Sequence, residues 1–330
     1  NVAIYRHVSA EGQCGIDTDR SRSIRTYLEQ LKKAIYVVGR RLKWRAFCNF
    51  FRRILGRRRT MSQEFKIVRF QIDTDEVRRL PNRQRNQLVG CMHAHNELVV
   101  LNRLLMFSLN DVGEGELHDH AHGVQMWTVM QLLTGKLFET WNMLIERFLK
   151  SSPEDPAIAA LSDGHRKELE WLKDYFGVSP LKDTALRTIR DKTGFHYDKL
   201  NLNQAVGALT EHESMIYVAE HPANACYYLG SSLVFSAAFA AIADKRVDTS
   251  AMNQTERMAA GVKIALDELN EANHRIHNVL YGIIKLLLEQ AAGGSLDNLD
   301  RLDIRVAGAP KSTMVTLPMF VNISEPDKKP

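Results

Sequence analysis

Long apolar stripes at three- and four-residue spacing most constrain what this chain can fold into. Leu88, Cys91, Met92, His95, Leu98, Leu101 and Leu105 form one. Met126, Met130, Leu133, Leu137, Trp141, Leu144 and Phe148 form a second. Met258, Val262, Leu266, Leu269, Ile276, Leu280, Ile283 and Leu287 form a third. This period places the apolar side chains of each segment on one face of an α-helix. The stripes predict helices over 82–109, 123–150 and 254–292. Shorter helices are expected over 163–176, closed by Gly177, and over 182–192, closed by Gly194. The Ala-, Leu- and Phe-rich run 225–243 predicts a buried helix.

Few β-rich runs separate these segments, whereas a doubly wound α/β fold needs several. The expected fold class is therefore all-α, a helical bundle with an additional long C-terminal helix and short extended segments. Residues 65–72, rich in β-branched and aromatic types, predict a short strand, with Asp73 and Asp75 offering turn or capping groups. Residues 215–219 fit either strand or helix. The expected organisation is a basic extension over 1–60, a linker or short strand over 61–81 and a bundle over 82–245. The long helix follows over 246–302, packed on the bundle, and then an extended tail over 303–330.

Charge is unevenly distributed. Residues 1–60 hold 15 Lys/Arg and 4 Asp/Glu, a balance of +11, whereas the remaining 270 residues carry −6. The basic pI thus gives no licence to infer nucleic-acid binding over the main body. Residues 24–59, with Trp44, Phe47, Phe50 and Phe51 among many Arg, read as a basic amphipathic helix for a membrane surface or nucleic acid. The competing expectation is that the working protein starts near Met61, where composition shifts abruptly, and that the preceding stretch is not native to it. The four cysteines, Cys14, Cys48, Cys91 and Cys226, are scattered without a C-x-x-C pair, which suits a reducing cytosol. No stretch is long and apolar enough to span a bilayer, and no ordered secretory signal opens the chain. The expectation is a cytoplasmic protein with no membrane partner.

Four constellations carry candidate chemistry. The first is Arg190-Asp191-Lys192-Thr193-Gly194-Phe195-His196. No other arginine in the chain has a His five to seven positions downstream. On an uninterrupted helix, positions six apart diverge by about 120° around the axis. Arg190 and His196 reach one substrate only through a break at Gly194 or through a second subunit. The second is His118-Asp119-His120-Ala121-His122, read as a loop between two helices. If extended, it would turn three imidazoles to one side, with Glu114, Glu116 and Asp119 adding oxygen ligands for zinc or nickel. A solvated loop is the favoured reading, so His118, His120 and His122 are secondary candidates and no metal is expected. The third is Cys91-Met92-His93-Ala94-His95, where His95 falls in the apolar stripe and reads as a satisfied core histidine. The fourth, Glu211-His212-Glu213 with Glu220-His221, reads as a solvated loop.

The Arg190–His196 segment resembles the signature of the HEPN superfamily of helical-bundle proteins: Arg, often a polar residue next, and a His after four to six intervening residues. The preceding Thr134-Gly135-Lys136-Leu137-Phe138-Glu139-Thr140-Trp141 is similar to helices of abortive-infection-type HEPN proteins. The resemblance spans about residues 82–245. It implies a metal-independent endoribonuclease, without cofactor, that works as a homodimer with Arg190 and His196 at the dimer cleft. RNA is the implied partner, and a toxin or phage-defence role with an antitoxin protein is the implied setting. An imidazole titrates near neutral pH and suits proton transfer in attack by a ribose 2′-OH. A guanidinium stays charged and stabilises the anionic transition state. Asp191 and Lys192 are expected to orient these groups and add phosphate affinity, with Tyr197 and Asp198 lining the cleft. The alternative is a non-catalytic HEPN-like module binding a nucleotide, RNA or a protein.

Overall fold

A computed structural model describes residues 65–110, 115–150, 155–177, 183–194, 202–207, 214–296, 299 and 301–322. The fold is all-α, with one small sheet among the described residues. Strand β1 (Phe65–Phe70) leads into helix α1 (Thr74–Arg79), which Asp73 caps by accepting from the Asp75 N–H at 2.9 Å. The long helices α2 (Asn82–Ser108) and α3 (Glu116–Leu144) follow, and α3 widens into a π-turn over Ile145–Leu149. Next come α4 (Pro156–Ala159), α5 (Asp163–Phe176) and α6 (Ala185–Ile189), which continues as a second π-turn over Arg190–Gly194. Helices α7 (Leu202–Gly207), α8 (Tyr228–Arg246) and α9 (Gln254–Ala291) complete the bundle. Strand β2 (Arg301–Val306) then pairs antiparallel with β1, Ile67 opposite Ile304.

One continuous core joins α2, α3, α5, α6, α8 and α9; most of the predicted stripe residues of α2, α3 and α9 enter or pack against it, but Met92 of α2 is exposed. Its largest fully buried side chains include Trp141, Phe138, Phe148, Phe176 and Phe239. The 38-residue α9 packs on α8, α5, α2 and α6. A capping box starts it. The Asn253 side chain accepts from Glu256 N–H at 3.0 Å, and the Glu256 carboxylate accepts from Asn253 N–H at 3.1 Å. The α8–α9 crossing is close enough that a Cβ on Gly261 would lie 2.0 Å from the Phe239 carbonyl oxygen. Gly177 closes α5 at φ 76, ψ 157, a region that only glycine adopts freely. Its carbonyl accepts from Trp141 Nε1 at 2.9 Å inside the core.

Two expectations need correction, and one segment left open takes one of its two expected forms. Helix α3 begins at Glu116, not at Gly123, because Glu116 and Asp119 complement the positive N-terminal end of the helix. The run 118–122 is therefore helical rather than a loop. The helix expected over 182–192 is α-helical only over Ala185–Ile189, since Thr184 caps it and the backbone widens at Arg190. Residues 215–219 are extended: Tyr217 and Cys226 exchange two main-chain hydrogen bonds of 2.8 Å. Residues 1–64, including the basic extension, lie outside the described residues.

Candidate active site

Helix α6 presents Ala185, Leu186, Thr188 and Ile189 to the core and is anchored at both ends. At its start the Thr184 hydroxyl accepts from Arg187 N–H at 3.1 Å, and Glu268 of α9 accepts from Ala185 N–H at 2.8 Å. The same Glu268 carboxylate accepts from the Tyr175 hydroxyl and lies 3.5 Å from Arg246. Desolvation and the neighbouring Glu268 charge push the Tyr175 hydroxyl far above its ordinary pKa, so it serves as a fixed donor. At the other end Thr193 is fully buried, and its hydroxyl donates to Ile189 O at 2.6 Å, within the π-turn.

The turn sets Arg190 against α3. Its guanidinium lies over the Phe138 ring, 5.0 Å from the centroid. Phe138 in turn packs edge-on against Phe176 at 5.0 Å, so the guanidinium covers the outer side of an aromatic cluster. A cation over an aromatic face gains on the order of 1 kcal/mol and loses little hydration at its rim. Glu139 and Asp191 approach the guanidinium at 3.5 and 3.8 Å, longer than a bidentate ion pair. Asp191 is closer to Arg187, whose Nε donates to it at 3.1 Å. Lys192 is half-buried and makes no ion pair with a described residue. The arrangement is an arginine held flat on one face, with weak acidic contacts at its edge. Such a group can exchange those contacts for a phosphate. Phe195, His196, Tyr197 and Asp198 lie outside the described residues.

Phe138 and Glu139 became visible as neighbours of Arg190 only in three dimensions, because their helix is far from it in sequence. Glu268 left a faint trace as an acid at stripe spacing between Ala265 and Leu269, the position of a carboxylate with buried partners.

The histidine-rich run at the start of α3 disperses. On a helix, successive alternate positions lie about 200° apart around the axis, so three imidazoles cannot share a side. His118 meets the edge of Phe320 with centroids 5.5 Å apart. His120 stacks on Tyr228 at 3.8 Å, and its Nδ1 is 2.9 Å from the Tyr217 hydroxyl. His122 is buried and donates from Nε2 to the Ser108 carbonyl. No group of three His, Cys, Asp or Glu side chains among the described residues has metal-ligand spacing.

Elsewhere, Cys91 is fully buried and desolvation pushes its thiol up to about 12, which leaves it protonated and unreactive. His95 is buried as its stripe position predicts, but its Nε2 has no partner, so "satisfied" does not describe it. Glu211, His212 and Glu213 lie outside the described residues. Glu220 and His221 are exposed, and His221 Nδ1 accepts from Ala223 N–H at 3.2 Å. No helix of the described residues is long and apolar enough to cross a membrane. No protein-family model, curated protein or solved structure matches the chain.

Proposed function

We propose that this chain is a metal-independent endoribonuclease of the HEPN type, acting as a homodimer with Arg190 and His196 of both subunits at a shared cleft. The observation that carries this reading is the placement of Arg190 on the π-turn, stacked on Phe138. The two segments on which the resemblance rests, 134–141 and 190–196, thereby meet at one arginine. Single π-turns within helices are frequent at functional sites, although Ile145–Leu149 forms a second one here, whose Arg147 donates to the Asn86 carbonyl.

In the proposed reaction His196 removes the proton from a ribose 2′-OH. The 2′-oxygen attacks the adjacent phosphorus, and the bond from phosphorus to the 5′-oxygen breaks. The leaving oxygen takes a proton from an imidazole, and a 2′,3′-cyclic phosphate remains. Arg190 stabilises the charge that grows on the phosphoryl oxygens. Asp191 orients Arg190, Lys192 adds phosphate affinity, and Tyr197 and Asp198 line the cleft. No cofactor takes part. A cytoplasmic toxin or phage-defence effector controlled by an antitoxin protein is the setting that this activity fits.

The deciding experiment is cleavage of RNA in the presence of EDTA by the parent, Arg190→Ala and His196→Ala proteins. The expected result is cleavage by the parent and a loss of about 10²-fold or more in each variant. Cleavage that survives both substitutions overturns the proposal. Saturable RNA binding without cleavage assigns the chain instead to a non-catalytic binding module, and activity lost in EDTA points to a metal-dependent enzyme.

A further inference from the structure

Two histidines meet in the core where α2 packs on α9, away from the Arg190 turn. His95 of α2 and His277 of α9 lie edge to face with ring centroids 4.9 Å apart. They are 9% and 2% exposed. Each has one ring nitrogen without a hydrogen-bond partner, Nε2 of His95 and Nδ1 of His277. The second nitrogen of His277 faces Asn102. The Asn102 side-chain nitrogen is 3.0 Å from Asn273 Oδ1 and 3.0 Å from His277 Nε2. That amide pair keeps its mutual bond if both side chains are turned over, so Asn102 meets Nε2 of His277 either as donor or as acceptor. In both arrangements Asn102 engages only Nε2 of His277, and Nδ1 has no partner.

A second proton on His277 has no place in this arrangement. It would leave the Nδ1 N–H without an acceptor and place a charge beside another imidazole in a water-poor core. From α2 the ionisable groups on this side are His95 and Cys91, one turn apart and both buried; Glu97 beyond them is paired with Lys136 of α3 and with His93. From α9 they are His277 itself and His274, which is hydrogen-bonded to Asn278 at 3.1 Å. Among the described residues, the charges that bear on His277 are those of His95 and His274, and both oppose its protonation. Burial alone acts on His95. No carboxylate is placed to compensate a proton on either ring.

We propose that the His95–His277 pair is an acid-sensitive latch, neutral when the bundle is closed and releasing α9 from α2 when His277 takes a second proton. Burial, then His95 and His274, hold His277 down to about 4 in the closed bundle, against about 6.5 in an unfolded chain. Between these values the open chain binds a proton that the closed bundle refuses. Stability from the neutral pair is thus complete above pH 6.5 and is lost as pH falls towards 4. Linkage makes the unfolding constant rise about thirtyfold between pH 8 and pH 5 from His277 alone.

The test is denaturant unfolding of the full chain at pH 8 and pH 5 for the parent, for His277→Gln and for the exposed control His93→Gln. Gln at 277 still offers Asn102 a hydrogen-bond partner and does not titrate. The parent and His93→Gln should lose stability together, and His277→Gln should lose about thirtyfold less in the unfolding constant. An equal loss in His277→Gln, or no loss in the parent, overturns the latch. If His277→Gln does not fold, a histidine-ring NMR titration of the parent decides. A His277 ring that stays neutral at pH 5, with α9 amides exchanging faster than at pH 8, supports the latch. Protonation near pH 6.5 with α9 still protected overturns it.

Discussion

At the scale of the residue, the strictest requirement among the described glycines falls on Gly261. Its α-carbon meets the Phe239 carbonyl across the α8–α9 crossing, so any side chain there must push two helix backbones apart. Gly261→Ala is expected to destabilise the protein by about 1–3 kcal/mol, as overpacking does, and urea unfolding measures it. A stability within a few tenths of a kcal/mol of the parent would mean that the helices do not cross this closely. Sequence periodicity does not single out this glycine, since Ala259 and Ala260 beside it serve a helix equally well. The neighbours of Arg190 were hidden for a similar reason. The spacing of Arg190 and His196 is a linear pattern, so it can be proposed as a candidate from sequence. The aromatic seat at Phe138 and the acidic contact at Glu139 are products of packing between helices.

At the scale of the element, long amphipathic helices were the most legible part of the chain. The expected spans 82–109 and 163–176 agree with Asn82–Ser108 and Asp163–Phe176 within a residue, because Pro81 and a long stripe mark the first, and the Ser162 cap and Gly177 bound the second. At the start of α3 they conflict. The His-rich run has no apolar stripe, yet its acidic first turn and its partners in Tyr217, Tyr228 and Ser108 hold it helical. The short helix α6 depends least on its own sequence. It has five α-helical residues, too few to persist alone, and it owes its start to Glu268 of α9. Glu268→Ala strands the Ala185 N–H and the Tyr175 hydroxyl and is expected to cost about 1–3 kcal/mol. Amide exchange over 185–194 should accelerate ahead of the rest of the bundle. Uniform acceleration across all helices would show that Glu268 does not anchor this turn in particular.

At the scale of the whole molecule, α9 is a structural member of the core rather than an addition to a finished bundle. Val262, Leu269, Ile276, Leu280, Ile283 and Leu287 share one buried cluster with α2, α5 and α8. A truncation ending at Arg246 leaves the faces of those helices uncovered. It is expected to lose near-ultraviolet circular dichroism and bind a hydrophobic dye, as a molten state does. A cooperative unfolding transition in that fragment would show instead that α9 is dispensable.

The antiparallel register of β1 and β2 sets Phe65 opposite Val306, so the start of one strand lies beside the end of the other. Between them runs the whole bundle. In topological terms the described chain is nearly a ring, with its gap at this ribbon. A short linker from Val306 to Phe65 would close that ring as an ordinary hairpin. The exposed turn between α8 and α9 would then be a natural place to open it again, with the helices keeping one another as neighbours but losing what α3 gains from Pro318 and Phe320.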